Sequence, residues 1–431
     1  MGNSAGCCKN SSSLIQAVDK DLSNLSHIPN KLIDTPKLLP EIESKTNTAT
    51  VTNNINNISN IKNISNIIPY VHKYSESEKN SHTDKNNKNN NININNSNIK
   101  NILKMSLPYG DQYEGETKDG KPYGRGHYIS GTGEEREGFF IEGLLNGEGN
   151  MKLKNGVKLS GNFVKNLLHG EGKMTTPEGE IYTGEFINGK KEGKGVLLFS
   201  NGDIYEGEFK NDFMTGKGHK KWKDGKEYIG DFIAGVENGF GKKIWKDGQM
   251  YEGEFKNGIK NGKGTYIFKD GSKYIGEFKN GKYDGKGEFF WKNGPKYIGD
   301  FKENKIEGKG KWEWPNGDIY EGDFKNGKYD GYGNEIKKDG KIYEGYFMND
   351  KYEGKGIRTF PNGERFEGYF HEGLMDGKGI WFYNDKSKLE GFWKKGKKEG
   401  KATKIMSNGD IYEINFINGE KTEIKKIETN S

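Results

Sequence analysis

The chain has 431 residues, of which 31% are hydrophobic, 12% aromatic and 30% charged, with 64 glycines and 10 prolines. So much glycine and so little aliphatic residue exclude a conventional globular core of this length, and the scarcity of proline excludes a collagen-like chain; aromatic contacts set among tight turns are expected instead. The formal charge of +6 is split, because twelve lysines oppose eight acids in the first 108 residues while 56 basic residues oppose 54 acids in the rest, a near-neutral balance that excludes nucleic acid as a partner of the longer part.

The first residues, MGNSAGCCKN, hold both cysteines of the chain, Cys7 and Cys8. They can be read as a metal or redox pair, as idle thiols, or as acceptors of fatty acids. The pair alone cannot supply four zinc ligands, and the seven histidines are scattered. With no apolar leader and no run of about 18 apolar residues, synthesis in the cytosol is expected, where a structural disulfide is disfavoured. The start resembles an N-myristoylation signal: Gly2 is exposed once Met1 is removed, Asn3 and Ser4 are small, and Gly6 stands where Ser or Thr is usual. One myristoyl chain binds membranes with an association constant of only about 10⁴ M⁻¹, so stable residence needs a second signal. Palmitoylation of Cys7 and Cys8 would supply it.

Leu14, Val18, Leu22 and Leu25 follow at helical spacing, and Pro29 would end such a helix. Residues 1–28 are thus expected to be a lipid-anchor segment with a short amphipathic helix. Residues 29–108, rich in Asn, Ile, Lys and Ser without lasting periodicity, are expected to form a disordered linker. A tether of about 100 residues spans roughly 50–60 Å as a coil.

From residue 109 to 424 the chain repeats itself every 23 residues, without insertion or deletion between Tyr113 and Tyr412, giving 14 units. In YEGEF, as at Tyr251 to Phe255, period 2 places Tyr, Gly and Phe on one face and the two acids on the other. A third apolar column includes Phe199, Trp222, Trp245 and Trp314, each followed by a dipeptide such as Asn201-Gly202 or Asp224-Gly225. Those dipeptides predict two-residue type I′ turns, hence one hairpin per unit, with a second glycine-rich bend linking each hairpin to the next. The last residues, 425–431, form a charged tail.

The unit YEGEFKNGKYDGKGEFFWKNG resembles the MORN repeat. That resemblance implies an all-β, elongated single-sheet solenoid of stacked hairpins, with scaffolding or membrane-associated roles and homodimers formed through C-terminal repeats. The end units depart from the pattern: Arg136, Leu144 and Leu145 disturb the second, and Lys386, Ala402 and Ile414 replace glycine near the end.

No enzyme chemistry is expected. Segments such as Gly184 to Lys190 match G-x-x-x-x-G-K but lack the following Ser or Thr and a helix behind. The acids Glu185, Glu208, Asp231 and Glu254 recur at one position unit after unit and predict a solvated face with cross-strand pairs. Neither cofactor nor metal is expected. At the C-terminal end Phe392, Trp393, Ile411, Ile414 and Phe416 suggest an apolar group beside an uncapped sheet edge, buried in a homodimer. The chain reads as a non-enzymatic scaffold, anchored by acylation at Gly2, Cys7 and Cys8 to the cytoplasmic face of the plasma membrane or of an inner membrane complex beneath the cortex, displaying its repeats to cortical proteins. The alternative is an adaptor that binds anionic phospholipid through its repeats and recruits or regulates a lipid-modifying enzyme such as a phosphatidylinositol phosphate kinase.

Overall fold

The computed structural model describes residues 102–427. Twenty-nine strands, from β1 (Ile102–Ser106) to β29 (Glu420–Ile427), form one open antiparallel sheet in which each strand pairs with its neighbours in the chain. After β1, short and long strands alternate, as in β10 (Ile204–Lys210) and β11 (Phe213–Lys221), so that β2 (Gln112–Lys118) to β29 make the expected fourteen hairpins.

The alternation in YEGEF is realised as expected. On β10, Tyr205 and Phe209 are buried while Glu206 and Glu208 are exposed. Gly207 lies opposite Gly218 of β11, and the Tyr205 ring lies across both. A Cβ on Gly207 would sit 2.5 Å from the tyrosine hydroxyl and 2.6 Å from the Gly218 Cα, closer than any real side chain tolerates. The hydroxyl donates to the Glu208 carbonyl at 3.0 Å. The ring meets Phe209 of its own hairpin edge to face at 5.2 Å, and Phe232 of the next at 5.1 Å. Such pairs contribute about 0.5–1.5 kcal/mol beyond area burial. Each tyrosine therefore joins two consecutive hairpins.

The exceptions follow the same steric rule. Arg136 and Leu159 replace the tyrosine in two early hairpins, and there Leu145 and Leu168, both fully buried, cover the glycines instead. Near the end Leu389 replaces the tyrosine, and with no ring to accommodate, Ala402 takes a glycine position.

The turns differ from expectation in which bend carries which type. Between β8 (Ile181–Ile187) and β9 (Lys190–Leu198) a two-residue loop has positive φ at both Asn188 (52°) and Gly189 (79°), the type I′ signature. Between β9 and β10, where Asn201-Gly202 predicts that turn, the loop has three residues. Gly202 N–H donates to the Phe199 carbonyl, Phe199 N–H donates to the Asp203 carbonyl, and Gly202 alone has positive φ. This is a type I turn closed by a glycine bulge. Register is the cause: Leu197 must oppose Tyr205 to share its face, and once Leu198 faces Ile204 and Phe199 faces Asp203 three residues are left to reverse the chain.

The sheet also extends past both expected ends. Ile102 to Ser106, assigned to the linker, pair with β2, and β29 runs to Ile427, into the expected tail.

Because the glycine contact is local, Gly253→Ala should destabilise its own hairpin and the next by about 1–3 kcal/mol through overpacking against Gly264 and Tyr251. Hydrogen exchange should show faster amides in those hairpins and unchanged ones several hairpins away. Gly248→Ala, where a Cβ meets nothing within 4 Å, should cost only the strain of its positive φ.

Candidate functional site

Gly2, Cys7 and Cys8 lie outside the described residues. The five apolar residues expected to gather at the C-terminal end are divided between the two faces of the sheet. Trp393, Ile414 and Phe416 are buried on the ring face, Ile411 is half-buried, and Phe392 points to the opposite face, half exposed. Trp393 belongs to the ring column, 4.8 Å from Phe366. The edge expected to be open beyond Phe416 is paired with β29, which is exposed along its length and carries Lys421, Glu423, Lys425 and Lys426. Charge on an outermost strand is a common device against edge-to-edge pairing.

Gly184 to Lys190 fold as the end of β8 and a hairpin turn, and the Gly189 amide is spent on the Leu168 carbonyl at 2.8 Å. The recurrent acids prove to be part of the hairpin's construction. The long strand of each hairpin bulges at the first glycine of G-K-G, and the acid on the short strand accepts the amide just after it. Glu185 takes Lys194 N–H, Glu254 takes Lys263 N–H, Asp300 takes Lys309 N–H and Asp323 takes Tyr332 N–H, at 3.0 to 3.1 Å. Lysines of the preceding hairpin pair with the same acids, as Lys286 with Asp300 and Lys309 with Asp323.

The ring face, by contrast, is not uniform. The position fifteen residues after the tyrosine holds Met151, Met174 and Leu197, then Lys220 and Lys243, then Tyr266, Phe289 and Trp312. In the middle hairpins this sets lysines among rings. Lys220 lies 5.0 Å from Trp222, and Lys226 lies 4.2 Å from it on the same face. Lys243 donates to both oxygens of the buried Glu237 at 2.7 and 2.8 Å. Lys260 stands 4.1 Å from the Tyr266 ring and within 6 Å of those of Tyr251 and Phe278. Burial, and then the neighbouring Lys243, lower its pKa to about 8. Burial likewise lowers that of Lys220. The signal for this patch was present in the sequence, but it appears only when the ninth and fifteenth positions of every unit are compared.

A family model described as the MORN repeat matches residues 137–158, 160–181, nine consecutive segments from 182 to 388, and 390–411, well over half of the chain. The chain belongs to the MORN-repeat family. The hairpins that start at Tyr113 and Tyr412 lie outside or beyond the matched segments, yet fold as the MORN hairpins do. No curated protein matches the chain. Among solved structures, the TCP10 domain of Danio rerio CPAP is 12% identical, covering 59% of this chain and 99% of that one at a TM-score of 0.16. Virginiamycin B lyase from Staphylococcus aureus is 14% identical, covering 75% and 87% at a TM-score of 0.11. Likeness at this level bears on neither the function nor the site.

Lys260 yields a prediction with a definite sign. Its folded pKa, about 8, lies below the 10.5 of a free lysine, so the folded state sheds the proton first. Stability should therefore rise as pH climbs from about 8 to about 10.5 and be flat below about 7. Lys260→Met should stabilise its hairpin at pH 7 by about 1–2 kcal/mol, discounted for partial exposure. It should also remove the rise, as read from hydrogen exchange of hairpin amides across that range.

Proposed function

We propose that this MORN protein is a non-enzymatic scaffold at the cytoplasmic face of a membrane, held there by fatty acids on Gly2, Cys7 and Cys8. The observation that carries the scaffold reading is the use each hairpin makes of its recurrent groups. Tyrosines, phenylalanines, glycines and acids are spent on closing each hairpin and stacking it on the next, so the array extends a surface, and among the described residues these groups assemble no convergent polar site. The anchor rests on the sequence: the two thiols of the chain stand five and six residues after an acylatable glycine, the two-signal arrangement that reversible single acylation requires. The membrane in view is the plasma membrane or an inner cortical membrane, and the partners are proteins of that cortex.

A second reading is favoured by one observation, the cluster of Lys220, Lys226, Lys243 and Lys260 among rings on one face. Such a cluster suits an adaptor that binds anionic phospholipid directly and recruits or regulates an enzyme such as a phosphatidylinositol phosphate kinase.

Gly2→Ala should release the protein from membranes to the soluble fraction, and Cys7→Ser with Cys8→Ser should weaken and scatter its membrane residence. A Gly2→Ala variant that fractionates with membranes as the wild type does would contradict the anchor. Unacylated protein mixed with liposomes containing anionic lipid separates the two readings. The scaffold reading expects no sedimentation with them, whereas the adaptor reading expects sedimentation that Lys220→Ala and Lys226→Ala abolish.

A further inference from the structure

The outer face, opposite the rings, departs from its own pattern in three consecutive hairpins. From Glu185 to Asp323 the position three residues after the tyrosine is an acid in seven consecutive hairpins, and six of the seven accept the bulge amide, but in the next three hairpins it is Tyr346, Tyr369 and Phe392. Each replacement forfeits a carboxylate-to-amide hydrogen bond of the kind Asp323 makes. The rings gain little burial in return, being 53%, 43% and 50% exposed. Tyr332 joins them, 48% exposed and edge to face with Tyr346 at 5.4 Å. Together they line a shallow groove of about 670 Å³. A stretch that gives up structural bonds to keep rings in water calls for something that covers them.

We propose that this groove binds a proline-rich peptide in the polyproline II conformation, lying across the strands. The spacing selects the occupant. Tyr346, Tyr369 and Phe392 stand at equivalent positions two strands apart, about 9.6 Å at the usual interstrand distance. A polyproline II helix repeats every three residues, about 9.3 Å, so over two intervals it drifts from the rings by only about 0.6 Å. An α-helix returns a face every seven residues, about 10.5 Å, and drifts by about 1.8 Å. An extended strand, with a two-residue repeat of about 6.7 Å, falls out of step at the second ring.

The chemistry agrees with the spacing. Proline rings pack on exposed aromatic faces, and the solvated carbonyls of a polyproline II helix need donors. Tyr346 and Tyr369 offer hydroxyls that no group among the described residues engages, and Lys355 and Lys378 lie between the rings, 5.7 Å from Tyr369 and 5.6 Å from Phe392. Glu390 shares the face with Phe392, two residues away on the same strand. It has no cation paired to it among the described residues, and so supplies the complement for one arginine or lysine of the peptide.

The test uses the full-length protein and a fluorescein-labelled synthetic peptide with proline at every third position and one arginine, read by fluorescence anisotropy. The control peptide has the same composition with the three-residue register scrambled. The variant is Tyr346→Glu, Tyr369→Glu and Phe392→Glu together, which installs the residue type of the seven hairpins from Glu185 to Asp323 and so keeps the array folded. The regular peptide should bind the wild type, and scrambling it or making the triple variant should weaken binding by about tenfold or more, some 1.4 kcal/mol. Absence of binding at about 1 mM peptide, or equal binding by the triple variant, would overturn the proposal. So would a wild-type dimer that the triple variant converts to a monomer and that the peptide leaves intact, since the face would then belong to a second copy of the chain.

Discussion

The structure depends on one contact, a tyrosine ring laid over two opposed glycines. A sheet has no interior of its own, so a chain that builds a single sheet must make a dry layer from side chains lying along it rather than from a second layer above. Tyr251 does this by covering Gly253 and Gly264, donating its hydroxyl to the Glu254 carbonyl at 2.9 Å, and meeting Phe255 and Phe278 in T-shaped pairs. The glycines are required because the ring occupies the space of their side chains. A constant period is required because each ring is shared by two hairpins. Burial pushes the Tyr251 hydroxyl well above its ordinary pKa.

Much of this was legible from period alone. The two buried columns, the glycine between them, the outward acids and the number of hairpins all follow from alternation in YEGEF. Turn type was not, because Asn-Gly occurs at both bends and the dipeptide does not state how long its loop is. Pairing does: Leu197 opposite Tyr205 fixes a three-residue loop at Ser200 to Gly202. The strands at the ends escaped for a different reason. Ile102 to Ser106 and Glu420 to Ile427 are exposed or nearly so, so they carry no buried alternation and owe their conformation to the pairing edge offered by the neighbouring strand. The expected C-terminal apolar group is divided for want of a face assignment, since Phe392 and Trp393 are adjacent in sequence and therefore point apart.

A repeat makes function visible by its departures. Where Leu389 replaces tyrosine, Ala402 replaces glycine, and the departure is structural because each change permits the other. Among the lysines set between the rings of the middle hairpins only Lys243 is compensated so directly, by the buried Glu237, and the outward rings of the hairpins after Asp323 replace acids that accepted a bulge amide. Those two stretches, on opposite faces, are places where this scaffold ceases to be uniform, and an exposed surface that varies along a regular support is what distinguishes a binding position from its neighbours.

The central claim, that rings shared between consecutive hairpins hold the array, is tested most directly by double-mutant cycles from Tyr251, using leucine substitutions and hairpin stabilities from hydrogen exchange. The pair Tyr251 and Phe278, at 4.9 Å in adjacent hairpins, should show a coupling of about 0.5–1.5 kcal/mol. Tyr251 and Phe301, one hairpin further on, should show coupling within error of zero. Equal coupling in both cycles, or none in the first, would contradict the account.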